Sequence, residues 1–142
     1  MPDLRQFPTL RLELQTTAEV PDISEILNDL HDSNTPMWIF DTETLAFLEV
    51  NEAAIRRYGY TGEEFLRMTI LDIRPVEDVS LILRDELHDR KHFANNETWR
   101  HKTRRGKVFQ VRITRHEIKF RGRTAEIVTA ERVSDPVDGL PS

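Results

Sequence analysis

The sequence predicts an α+β fold built on one core, with two strands first, a run of short helices next and three strands last. Three observations carry this. Two short apolar runs, Met37 to Phe40 and Leu45 to Val50, flank a polar turn and read as a hairpin. Helix-start and helix-stop signals crowd the stretch from Asn51 to Pro75. After Asn95-Asn96 the apolar period returns to two. Strands and helices are therefore segregated along the chain, which excludes a doubly wound parallel sheet. A length of 142 residues holds one ordinary domain with short tails, not two domains around a cleft.

Residues 1–20 form an arm in which only Leu10, Leu12 and Leu14 alternate as a strand would. Residues 21–32 predict an amphipathic helix: Asp22 and Glu25 resemble a capping box, and Ile23, Ile26, Leu27 and Leu30 form one stripe. So short a helix is marginal alone, so its stripe must be covered. A second copy of the chain is the expected cover, making these four residues a dimer interface; the competing fate is the outer face of its own sheet at Trp38 or Leu48.

After the hairpin, Asn51 is placed to cap a two-turn helix carrying Ala54, Ile55 and Tyr58 on one face, and Gly59 supplies its left-handed exit. Thr61 and Glu64 form a capping box, with Tyr60 and Phe65 spaced as a hydrophobic staple. Pro75 opens a longer helix with Glu77 and Asp78 in its first turn, an inward face of Val79, Ile82, Leu83 and Leu87, and Arg90, Lys91 and His92 at its end. Trp99, His101 and Thr103 then alternate with polar neighbours, as do Phe109, Val111 and Ile113, and Arg121-Gly122 makes a tight turn into Ala125 to Val133.

Composition narrows the functional classes. Cysteine is absent, which excludes disulfides, thiolate catalysis, Cys-ligated metal and cysteinyl photochemistry. No apolar run is long enough to span a bilayer and residues 1–17 lack the pattern of a signal peptide, so a cytoplasmic chain without membrane contact is expected. Net charge is -5. The bases of the last third alternate with apolar residues at strand spacing, which is a solvated sheet face, and no nucleic-acid contact is expected.

Several spaced motifs carry a family resemblance. Pro36-Met37-Trp38-Ile39-Phe40-Asp41, Val50-Asn51-Glu52-Ala53-Ala54, Tyr58-Gly59-Tyr60-Thr61-Gly62-Glu63-Glu64-Phe65-Leu66 and Asp72-Ile73-Arg74-Pro75 resemble the first half of a PAS domain. Trp99 to Lys102, Gly106 and the segment Val111 to Ala125 are similar to its last three strands. The resemblance covers residues 33–134, leaving 135–142 as a C-terminal linker. It implies a five-stranded antiparallel sheet with short helices on one face, here preceded by the amphipathic helix. It also implies a cavity between the sheet and the helix that starts at Pro75. The exit triplet Arg132-Val133-Ser134 departs from the usual Asp-Ile-Thr of such domains.

The resemblance implies a noncatalytic sensory and dimerisation module of a bacterial signalling protein, a sensor histidine kinase of a two-component system, with a downstream signalling domain as partner. The alternatives are a receptor for a small apolar ligand or noncovalent flavin, and the input domain of a cyclic-di-GMP enzyme. Candidate ligand contacts are Asn51, Tyr58, Phe65, Met68, Ile82, Phe93, Trp99, Ile113 and Thr129, with His101 as a further polar group. No cofactor is expected, because Cys is absent and the inward positions of the Pro75 helix, Val79, Ile82 and Leu83, offer no axial histidine for haem. His88 and His92 with Asp85 and Asp89 make a face that reads as dipole partners instead of a metal site. His116-Glu117 mimics a phosphoacceptor box, yet it lies in a strand-period segment and reads as a surface histidine. Nothing supplies a nucleophile paired with a base, so no enzyme activity is expected.

Overall fold

A computed structural model describes residues 23–80 and 97–134. The arm, the predicted helix beyond Ser80 with Ile82, Leu83, Leu87, His88, His92 and Phe93, and the linker 135–142 lie outside the described residues. Helix α1 spans Ile23–Asp32, strand β1 Met37–Asp41, strand β2 Phe47–Val50, helix α2 Glu52–Tyr58 and helix α3 Gly62–Phe65. Two 3₁₀ turns follow, Ile70–Ile73 and Val76–Asp78, and then strands β3 Glu97–Lys102, β4 Val108–Phe120 and β5 Arg123–Arg132. The five strands form one antiparallel sheet in the order β2-β1-β5-β4-β3. The expected fold class is the observed one.

Local sequence explains most element ends. Asn51 caps α2 by accepting from the Ala54 amide, and Gly59 closes it at φ +88°. Thr61 and Glu64 form the reciprocal capping box of α3, and the staple rings of Tyr60 and Phe65 meet edge-on at 5.5 Å between centroids. Arg121 and Gly122 both have positive φ, 53° and 78°, the twist that joins β4 to β5 through a two-residue turn.

The hairpin turn differs from its sequence reading. Leu45 is not in a strand but in the left-handed region at φ 67°, buried, and β2 begins at Phe47. Asp41 imposes this: its Oδ1 accepts from the Glu43 and Thr44 amides at 2.7 and 3.1 Å, and its carbonyl accepts from the Leu45 amide at 2.7 Å. Pro75 opens a 3₁₀ turn, Val76–Asp78, and the helix expected after it begins at Val79, its course past Ser80 lying outside the described residues.

Strand alternation sorts the core into two faces. The inner face carries Trp38 and Phe40 of β1, Val111 and Ile113 of β4 and Val128 and Ala130 of β5; α2, α3 and the first 3₁₀ turn pack on it. The outer face carries Ile39, Phe120, Ala125 and Ile127, and α1 lies there with Leu30 fully buried and Ile23 and Leu27 packed beside it. The stripe of α1 is thus covered by its own sheet, at Leu48 as one of the two receivers expected, while Trp38 faces the other way. Of the stripe, Leu30 is fully covered there, and Ile23, Ile26 and Leu27 are half-buried.

Phe65 is fully buried against Phe47 and Tyr58, with ring centroids at 5.0 and 6.2 Å. Phe65→Ala is expected to cost about 3–5 kcal/mol, and the half-buried Trp99→Ala less, in paired urea melts. A Phe65→Ala variant as stable as the parent would contradict this packing.

Candidate functional site

On the inner face a cavity of about 40 Å³ lies between the sheet and the 3₁₀ turns. Among the described residues its apolar wall comes from Phe40, Ile70, Ile73, Ile113 and Val128. Both tryptophans of the chain, Trp38 and Trp99, also line it. Among the described residues its polar lining comes from His101, Arg74 and Arg115. A water needs roughly 10–15 Å³ of such space, so the cavity holds about three waters or a ligand of a few atoms.

Each polar group arrives by a local rule. Arg74 precedes Pro75 and is therefore extended, φ -111° and ψ 144°, which ends the first 3₁₀ turn. Its guanidinium carbon lies 4.5 Å from the centroid of the Trp99 ring, and its side chain is 4% exposed. Arg115 continues the inward alternation of Phe109, Val111 and Ile113 on β4. Its Nη1 stands 3.1 Å from Oε1 of the buried Glu126 on β5. His101 on β3 meets the Tyr58 hydroxyl, 2.6 Å from Nδ1 to Oη.

Burial sets the protonation of these groups. His101 is held well below the ordinary histidine range by desolvation and by the positive charge of Arg74. Tyr58 is pushed up by desolvation, so its phenol stays protonated. With Nε2 protonated on His101, the Tyr58 hydroxyl donates to Nδ1 as a neutral pair. At the cavity edge Arg100 forks onto Asp78, Nε to Oδ2 at 3.0 Å and Nη2 to Oδ1 at 2.8 Å, and also reaches Glu77 at 3.1 Å. That hydrogen bond, against the opposing effect of burial, holds the Asp78 carboxyl below its usual range. It also ties the second 3₁₀ turn to β3.

Of the expected ligand contacts, Trp99 and Ile113 line the cavity, together with His101. Tyr58 stands behind His101 in the core. Phe65 is interior packing next to Phe47, and Met68 packs against the same cluster while its carbonyl accepts from the Phe47 amide. Asn51 does not face the cavity: its side-chain hydrogen bonds go to backbone groups around it. Thr129 is on the outer face, because β5 turns Val128 and Ala130 inward and Ala125 and Ile127 outward. Ile82 and Phe93 fall outside the described residues. Sequence reading missed Arg74 and Arg115; extending the Phe109, Val111, Ile113 alternation by one step would have found Arg115. His116 is on β4, a strand, and among the described residues no group of three metal-ligating side chains comes together.

A family model for the PAS fold matches residues 22–133. A sequence comparison with curated proteins gives no match. Among solved structures, the chain is similar to a PAS domain from a two-component sensor histidine kinase, at 22% identity and TM-score 0.61 over 78% of this chain and 96% of that one. A PAS domain of a protein from Desulfitobacterium hafniense matches at 17% identity and TM-score 0.67, over 75% and 99%. A domain of a sensory box sensor histidine kinase/response regulator from Geobacter sulfurreducens matches at 20% identity and TM-score 0.63, over 77% and 92%. At such identities these likenesses show the fold.

A histidine whose folded-state pKa is depressed adds stability above its unfolded value of 6.5, and that stability is lost as pH falls from there toward the folded value. The urea midpoint of the parent should therefore drop between pH 7 and pH 5, and His101→Gln, which keeps a partner for Tyr58, should flatten that drop. Parallel pH profiles for parent and variant would contradict a buried neutral His101.

Proposed function

The chain belongs to the PAS family, and from that premise we propose that it is the noncatalytic sensory input module of a bacterial signalling protein, a sensor histidine kinase, acting in the cytoplasm. One observation supports this above others: β5 both lines the cavity, at Val128, and carries the chain to its exit at Arg132. Between these two points β5 is paired with β4 from Arg123 to Arg132, and the Val133 amide donates to the Gln110 carbonyl at 2.7 Å. A change in what fills the cavity therefore acts on the strand that leads onward to a downstream domain. The two histidine-kinase relatives make a kinase the favoured output over a cyclic-di-GMP enzyme. Among the described residues no helix is long and apolar enough to cross a membrane. The carboxylates near the cavity, Asp78 and Glu126, are engaged by arginines, which suits binding better than acid–base chemistry.

Receptor behaviour is the second reading, favoured by the cavity itself. Homodimer formation is part of the proposal, through what α1 leaves uncovered. Ile26 is half-buried and outside the outer-face cluster, while Ile23 and Leu27 are only partly covered. Ile26→Glu is expected to convert a dimer into a folded monomer in sedimentation, whereas Leu30→Glu should unfold the chain because Leu30 is fully buried. A parent chain that sediments as a monomer at about 100 µM would remove the dimer.

The sensory role is checked by placing the chain upstream of a histidine-kinase core and filling the cavity. Val128→Phe is expected to shift autophosphorylation while circular dichroism stays that of the parent. Unchanged output from folded Val128→Phe and Ile113→Phe chimeras would contradict the proposal.

A further inference from the structure

We propose that Arg57 is the docking point for the acidic segment that follows β5, its guanidinium held by the carboxylates of Asp135 and Asp138, so that the outgoing chain is clasped to α2. The inference goes beyond the sensory reading above and does not depend on it. The last turn of α2 carries two arginines, Arg56 and Arg57, which suit the negative end of the helix dipole. The fold treats them differently: Arg56 is exposed and Arg57 half-buried. Nη1 of Arg57 is enclosed and has no hydrogen-bond partner, and a charged donor left unmet in the interior is far costlier than the same donor in water. Burial, and after it the like charge of Arg132, lower the pKa of Arg57, so the site is short of negative charge. No carboxylate among the described residues is paired with Arg57. The alternation that turns Val128 and Ala130 inward also turns Arg132 inward and Glu131 outward, where Arg112 stands 3.9 Å from it. Glu64, the acid of the α3 capping box, is held by Arg104 at 2.6 Å.

The path of the chain brings carboxylates to this place. Past Arg132 the Val133 amide donates to the Gln110 carbonyl at 2.7 Å and the Ser134 amide to the same carbonyl at 3.4 Å, while the Gln110 amide donates to Ser134 Oγ at 3.0 Å. The chain is therefore held on β4 up to Ser134, and the next residue is Asp135. Residues 135–142 hold two acids, Asp135 and Asp138, and no base. At about 3.3–3.6 Å per residue the chain can carry them at most about 10 Å and about 20 Å from Arg132. Arg57, close enough to Arg132 for their charges to interact, is in reach of both. A carboxylate matches the planar fork of a guanidinium, and one tethered to the same chain arrives at high effective concentration. Tyr58, the next residue of α2, carries the hydrogen bond to His101 at the cavity, so the clasp joins the outgoing chain to the helix that backs the cavity wall.

Amide hydrogen exchange at Val133, followed by NMR on the full chain at constant pH and salt, reads this clasp. Asp135→Asn combined with Asp138→Asn keeps the shape of both side chains and removes their charge. That pair should speed exchange at Val133 about tenfold, the worth of one charge-assisted hydrogen bond. Arg57→Met should do the same, and all the substitutions together should add nothing further, because each breaks the same contact. Arg56→Gln, on the exposed side of α2, is the control that keeps the parent rate. If Arg57→Met fails to fold, the aspartate pair still decides. Parent exchange at Val133 in the aspartate variant would overturn the clasp, and so would effects of Arg57→Met and the aspartate pair that simply multiply. Exchange at Val133 that varies with protein concentration would assign the Arg57 site to a carboxylate of a second copy, and would overturn it as well.

Discussion

The structure hangs on the hydrogen bonds of one buried side-chain amide, that of Asn51. Asn51 Nδ2 donates to the Leu30 carbonyl at the end of α1 and to the Thr35 carbonyl ahead of β1, both at 2.9 Å. Its Oδ1 accepts from the Met37 amide that opens β1 and from the Ala54 amide in the first turn of α2, both at 3.0 Å. An asparagine side chain has two donors and two acceptor positions, and all are used. Three segments from different parts of the chain are thereby fixed to one point. The start of β1 is one of them, so Asn51 sets where Trp38 falls in its register with Val50 and Val128. With Trp38 turned inward, the aromatic cluster of Tyr58, Phe47 and His101 forms around it, with ring centroids 5.8 to 5.9 Å away.

How much of this could be read in the sequence depended on the range of the interaction. Caps and turns are decided within four or five residues, so α2, the capping box of α3 and the Arg121-Gly122 turn were legible. Asn51 was legible as a cap and not as a clamp, because three of its partners lie 14 to 21 residues away. Leu45 looked like a strand residue because it is apolar; the carboxylate of Asp41 outweighs that preference by building the turn that forces it left-handed. The destination of α1 was not legible. Its receiving surface is assembled from Ile39, Phe120 and Ala125 on three strands, and no local pattern announces it.

The candidate site shows the same division. Trp99 and Ile113, expected near the cavity from the family resemblance, line it together with His101. Thr129 was misassigned by one residue of phase, which in a strand reverses the face. Arg115 was overlooked because a charged residue on a strand is ordinarily solvent-facing, and only the unbroken alternation from Phe109 turns it inward. Arg74 could not be placed from sequence. Its orientation comes from the pre-proline geometry together with the Trp99 ring, which is brought in from β3.

A nearly buried ion pair is a weak source of stability, since desolvating two charges offsets most of their attraction. Arg115 and Glu126, with side chains 11% and 9% exposed, are such a pair at a cavity that apolar side chains could otherwise close. The direct measurement is the urea stability of the Arg115→Met, Glu126→Leu double variant and its output when placed upstream of a histidine-kinase core. Stability equal to or above that of the parent, with autophosphorylation shifted, is the predicted result. A double variant destabilised by about 3 kcal/mol or more, or one whose output is that of the parent, would contradict it.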